Sequence, residues 1–128
     1  MRMTVALLLT AIFLISCTKK KALIVHNCSK FWEGTFNNEH KGEVDLRITR
    51  KGNYQIEVGK GGSAAKFKVD WLDSCRYRLT YVSSDKPVKD YKPVIVQIIE
   101  VKESSYVIEG WLEGQSMATY RSELFKVE

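Results

Sequence analysis

From Phe31 onward, apolar and polar residues alternate with period two, and glycine-rich or polar turns interrupt the alternation. Val44, Leu46 and Ile48 alternate with Asp45, Arg47 and Thr49, and Tyr54, Ile56 and Val58 with Gln55 and Glu57. Phe67, Val69 and Trp71 do so with Lys66, Lys68 and Asp70, while Tyr77, Leu79 and Tyr81 share one face of residues 76–83. Successive side chains on a strand point to opposite faces, so each run predicts a strand with one apolar face. Lys51-Gly52-Asn53 is a hairpin signal, residues 59–63 form a glycine-rich loop, and Asp73-Ser74 is a further turn. Residues 84–92 make the longest loop, after which Pro93 opens the next strand. Two more strands, 105–112 and 117–127, follow turns at 102–104 and 114–116.

The pattern therefore predicts an all-β domain of about eight strands joined by short hairpins, with no segment of helical period. An antiparallel meander of this size curls into a small barrel or a strongly bent sheet, because closure removes exposed edges. A two-sheet sandwich is the alternative. Val94-Ile95-Val96-Gln97-Ile98-Ile99 is apolar on both faces, so its outer side needs a cover. Residues 22–25 or a partner subunit would supply it.

The N-terminus carries a separate signal. Arg2 precedes an apolar run at residues 5–15, broken only by Thr10 and far shorter than the roughly 20 residues that span a bilayer. The run closes on Leu14-Ile15-Ser16-Cys17, which resembles a lipobox. Residues 1–16 are expected to be a lipoprotein signal peptide, with Cys17 the lipidated residue. Residues 17–27 then form a tether and 28–128 the β-domain. Acyl chains at about 0.8 kcal/mol per buried CH₂ hold such a domain at a membrane.

Charge and cysteine content fit this layout. The chain carries 20 Lys plus Arg against 15 Asp plus Glu, but Arg2 and Lys19-Lys20-Lys21 account for most of the excess. The basic character belongs to the tether, where each lysine gains about 1 kcal/mol beside anionic headgroups. Nothing matches a nucleic-acid module, and no nucleic-acid partner is expected. With Cys17 lipidated, Cys28 and Cys75 are left to pair in an oxidising compartment. That bridge would close a loop of about 48 residues and stabilise the fold by roughly 4 kcal/mol in the chain-entropy model. Two unpaired thiols are the alternative.

No catalytic constellation, metal site or cofactor motif is evident. His26 and His40 lack ligand-spaced neighbours, no Gly-x-Ser-x-Gly elbow occurs, and the Gly59-Lys60-Gly61-Gly62-Ser63 loop matches an anion-binding loop only in composition. Lys66, Lys68, Arg76 and Arg78 lie opposite the apolar alternation on two successive strands and are a candidate basic surface for a ligand or partner; a solvated charged face is the other reading. Trp32, Trp71, Trp111, Tyr77 and Tyr81 are candidates to line a barrel cavity for a small apolar ligand, or to fill a narrow barrel outright. Bulky inward positions favour the filled interior.

The opening Cys28-Ser29-Lys30-Phe31-Trp32-Glu33-Gly34-Thr35-Phe36 is similar to that of lipocalin-like chains, with Phe36 where lipocalins carry tryptophan. Most of the chain after Cys17 resembles a group of small lipoproteins of Bacteroidetes and flavobacteria with no assigned activity. The shared elements are Cys28-x-x-Phe31-x-x-Gly34, Ile48-x-Arg50, Gln55-x-Glu57 and Trp71-x-x-x-Cys75-x-Tyr77-x-Leu79-x-Tyr81. The resemblance implies a common fold and a place in the cell envelope. In that group acidic residues after the lipidated cysteine accompany surface display, and Lys19-Lys20-Lys21 points instead to an outer membrane location facing the periplasm. The expected function is a non-enzymatic binding module for a protein or envelope glycan. The alternatives are a lipocalin-like carrier of a small hydrophobic ligand, or an inhibitor of an envelope-attacking enzyme such as lysozyme.

Overall fold

The computed structural model describes residues 27–127. The expected signal peptide at residues 1–16, Cys17, the lysines at 19–21, His26 and residues 22–25 lie outside the described residues. A single 3₁₀ turn, Ser29–Phe31, precedes eight strands: β1 Gly34–His40, β2 Glu43–Lys51, β3 Tyr54–Gly59, β4 Ala64–Asp73, β5 Arg76–Ser84, β6 Val94–Val101, β7 Ser105–Leu112 and β8 Tyr120–Lys126. Each strand pairs antiparallel with the next, and β8 returns to β1 through Asn37↔Phe125 and Asn38↔Leu124, closing the barrel. Closure leaves no strand edge unpaired, which is how a lone antiparallel sheet of this length avoids edge-to-edge association. Positions 117–119, expected to open β8, instead belong to the β7–β8 loop, where Thr119 donates its N–H to the Gly110 carbonyl at 2.8 Å.

The alternating strands β2, β4 and β5 turn their apolar set inward, as alternation predicts. β3 does the opposite. The two-residue turn at Gly52-Asn53 pairs Lys51 with Tyr54, Arg50 with Gln55 and Ile48 with Glu57. Ile48 and Arg50 are buried in the barrel, so Gln55 and Glu57 face inward with them, while Tyr54, Ile56 and Val58 stand exposed on the outer face. Ile56 is 45 % exposed. An Ile56→Ser variant is therefore expected to unfold within about 0.5 kcal/mol of wild type in urea, whereas Leu79→Ala, from the interior, loses about 2–5 kcal/mol. A large loss at Ile56 would place it in the core after all.

The two ends of the barrel differ. Around the first, the chain from Cys28 to Glu33 forms a plug tied to all three turns there. Trp32 Nε1 donates to the Ser74 carbonyl at 2.9 Å, the Glu33 carboxylate accepts from Gly52 N at 3.0 Å, and Lys30 Nζ donates to the Lys102 carbonyl at 3.1 Å. The Cys28–Cys75 disulfide adds a covalent tie to the β4–β5 turn, as the cysteine arithmetic predicts. Beneath the plug lies a continuous core that includes Phe31, Phe36, Val69, Tyr77, Ile98, Tyr106 and Leu124. On β6, Val94, Val96 and Ile98 face inward, and Ile95 on the outer face is buried as well.

Candidate functional site

The plugged half of the interior is built around a cation. Arg50 is 1 % exposed, and its guanidinium lies 4.8 Å from the ring centroid of Phe36, 4.9 Å from Tyr77, 5.7 Å from Trp71 and 5.8 Å from Tyr106. It hydrogen-bonds the Tyr106 hydroxyl, while its Nε and Nη1 and the facing Gln55 Oε1 have no hydrogen-bond partner. The negative faces of four rings offset part of the desolvation of the charge. No solvent reaches these atoms, so this half is a packed aromatic cage with the charge sealed inside.

Burial pushes the Tyr77 and Tyr106 phenols above the ordinary tyrosine range. A phenol whose pKa is raised by folding contributes stability in full below its unfolded value of about 10 and loses it as pH climbs through the folded value. The protein is therefore expected to unfold cooperatively on the alkaline side of about pH 10. At least Tyr77 and Tyr106 of the six tyrosines are expected to ionise only with that transition in a tyrosinate absorbance titration. Independent ionisation of all six before unfolding would contradict the cage.

The opposite half is open. Inward positions toward this end, among them Leu46, Glu57, Ala65 and Tyr81, are only partly buried, and Leu112 at the rim is 37 % exposed. Glu57 stands inside the wall, its Oε1 accepting from Gln55 Nε2 at 2.7 Å. Burial raises its carboxyl pKa, and among the described residues no lysine or arginine forms an ion pair with it. The small side chain of Ala65 is its partner across β4. On one side Tyr91, from the β5–β6 loop, packs 5.2 Å from Tyr81 and 5.7 Å from Phe67. On the other, the tip of Tyr120 lies over Gly110. A Cβ on Gly110 would fall 2.1 Å from the Tyr120 ring, so only glycine there admits the phenol into the barrel. Burial raises the Tyr120 hydroxyl as well.

The sequence-predicted sites are distributed unevenly over this geometry. Trp71, Tyr77 and Tyr81 face the interior, but Trp71 and Tyr77 are packed round Arg50 and only Tyr81 belongs to the open half. Trp32 does not line the interior. It sits in the plug, stacked 5.2 Å from Trp71. Trp111 is on the outer face of β7, opposite Ile95, because Gly110 holds the inward position beside it. Lys66, Lys68, Arg76 and Arg78 do share the outer face of β4 and β5, but acids are interleaved with them. Lys68 pairs with Asp70 at 3.7 Å, Arg76 with Asp73 at 3.7 Å and Arg78 with Glu113 at 2.7 Å, while Lys66 lies 4.3 Å over the Tyr54 ring.

Sequence reasoning missed Arg50, Gln55, Glu57 and Tyr91 as interior groups. The signal for three of them was present in the hairpin. A two-residue turn at 52–53 pairs 50 with 55 and 48 with 57, so Ile48 and Ile56 cannot share a face. Among the described residues, no three His, Cys, Asp or Glu side chains converge at metal-binding distance. Compared with protein-family models, curated proteins and solved structures, the chain matches none.

Proposed function

We propose that this chain is a non-enzymatic binding protein that holds a small amphipathic molecule in the open half of its barrel, in the manner of a lipocalin-like carrier. The observation that carries this reading is the gradient along the interior: side chains are packed solid under the plug and partly solvent-reached at the other end. Concave sites with an apolar lining and few polar groups are where small ligands bind, and this partly buried end of the barrel offers both. Lipid on Cys17 would hold this carrier in the cell envelope, on the outer membrane facing the periplasm, with the mouth free to exchange its cargo.

Native mass spectrometry of the full chain purified from its own host tests the reading. The expected result is an excess mass that denaturation removes. A clean apo mass, together with no thermal stabilisation by any amphipathic compound in a panel, would exclude a carrier.

A second reading, docking of a protein or envelope glycan, draws support from the outer face of β3. There Tyr54, Ile56 and Val58 form an exposed apolar stripe, with Arg47 and Lys51 facing it from β2 and Lys66 and Lys68 from β4. Cross-linking in the native envelope that captures a partner through this stripe, with the mouth empty, would favour it over the carrier.

A further inference from the structure

The chemistry of the open half goes further and, resting on the small-ligand reading above, specifies the ligand's head group. We propose that the mouth of the barrel takes the cationic head of an amphipathic amine, with Glu57 as its counter-ion and Tyr81, Tyr91 and Tyr120 as its aromatic walls.

Glu57 carries the assignment. A carboxylate half-buried inside a barrel wall loses hydration, and a single amide donor from Gln55 replaces little of it. Arg50 is the interior cation nearest in register and its charge acts on Glu57 from a distance, yet it is committed to Tyr106, held among four rings, and forms no ion pair with Glu57. The carboxylate therefore faces the interior beside the small Ala65 without an ion pair. A bound cation would supply that direct partner.

The walls suit the same head group. Tyrosine faces attract ammonium and quaternary ammonium groups, most strongly where water is excluded. Tyr91 and Tyr81 pack together on one side of the mouth, and Tyr120 reaches in from the other. Glu57 near the end of β3, Tyr91 on the β5–β6 loop and Tyr120 at the start of β8 all lie toward this same end of the barrel. At the rim, Val88, Leu112 and Met117 are exposed apolar side chains, Met117 at 77 %, placed to take an alkyl or aryl tail.

An anionic head group is disfavoured by the same geometry. The interior cation that would bind it is sealed, and Lys86, Lys89 and Lys92 on the β5–β6 loop are exposed, where salt at physiological strength screens them within about 8 Å.

The test titrates the full chain by calorimetry with three probes of one chain length, each below its micelle concentration: decyltrimethylammonium, 1-decanol and decanoate. The expected result is one-to-one binding of the ammonium probe at least tenfold tighter than the alcohol, with decanoate weakest. Glu57→Gln is expected to abolish the preference for the cation, so that decyltrimethylammonium and decanol bind with similar affinity. Tyr91→Leu, on a surface loop, supplies the same test through the aromatic wall and is expected to lower the preference severalfold. Equal or tighter binding of decanol or decanoate, or an unchanged preference in both variants, would overturn the amine assignment and leave the carrier reading standing. Binding of none of the three would remove both.

Discussion

Arg50→Ala is expected to cost about 3–5 kcal/mol of folding free energy, among the largest losses any single substitution produces here. The side chain fills the space between Phe36, Trp71, Tyr77 and Tyr106, so truncation leaves a cavity bounded by four rings that cannot collapse onto one another. It also strips the buried Tyr106 hydroxyl of its partner, which adds a desolvation cost of about 1–3 kcal/mol within that total. Arg50→Met separates the two contributions. It keeps the length and most of the volume and removes the charge, whose Nε and Nη1 are unpartnered in the folded protein. Replacing buried charges with apolar groups of similar volume is often close to neutral, so methionine is expected to lose less than about 2 kcal/mol. Urea unfolding of the two variants measures the difference. Equal losses would mean that the guanidinium itself, through its ring contacts, matters more than the space it occupies.

Removal of the Cys28–Cys75 bridge is expected to have a comparable effect by a different route. The bridge spans 47 residues of sequence and encloses β1 to β4, half of the barrel. Cutting it restores conformational freedom to the unfolded chain worth roughly 4 kcal/mol in the chain-entropy model. In the folded state the plug keeps its hydrogen bonds through Trp32, Glu33 and Lys30, so the barrel should remain closed under native conditions. The measurement is the guanidinium midpoint of the oxidised protein against the Cys28→Ala, Cys75→Ala double variant. A difference below about 1 kcal/mol would show that the unfolded ensemble is already compact across the first four strands.

Sequence patterning conveyed the fold well because a closed meander is written in local terms. Each hairpin places its own turn residues, and each strand announces itself by alternation. Lys41 and Gly42, both at positive φ, form the first tight turn, and Gly52-Asn53 the second. β3 shows where this kind of reading stops. Its alternation of Tyr54, Ile56 and Val58 is as regular as any in the chain, but alternation states only that a strand has two unlike faces. Which face turns inward is decided by register against the neighbour, and a one-residue slip reverses it. The Gly52-Asn53 turn sets that register, carrying Glu57 inside opposite Ile48. The interior carboxylate, and with it the candidate site, was therefore the part least visible in the pattern.

By itself the sequence determined the strand order, the hairpins, the all-β class and the pairing of Cys28 with Cys75. All of these follow from short-range periodicity, from turn residues and from how few thiols there are to pair. Tertiary structure alone decided the rest, because the remaining questions concern which side chains meet after closure. It placed Trp111 outside and Tyr91 inside, neutralised most of the basic stripe with neighbouring acids, and plugged one end of the barrel with residues 28–33. It also set Arg50 among four rings contributed by β1, β4, β5 and β7. Contacts of that kind join residues up to 56 positions apart, as in Arg50 to Tyr106, and no local pattern of hydrophobic and polar positions encodes a separation that only barrel closure brings together.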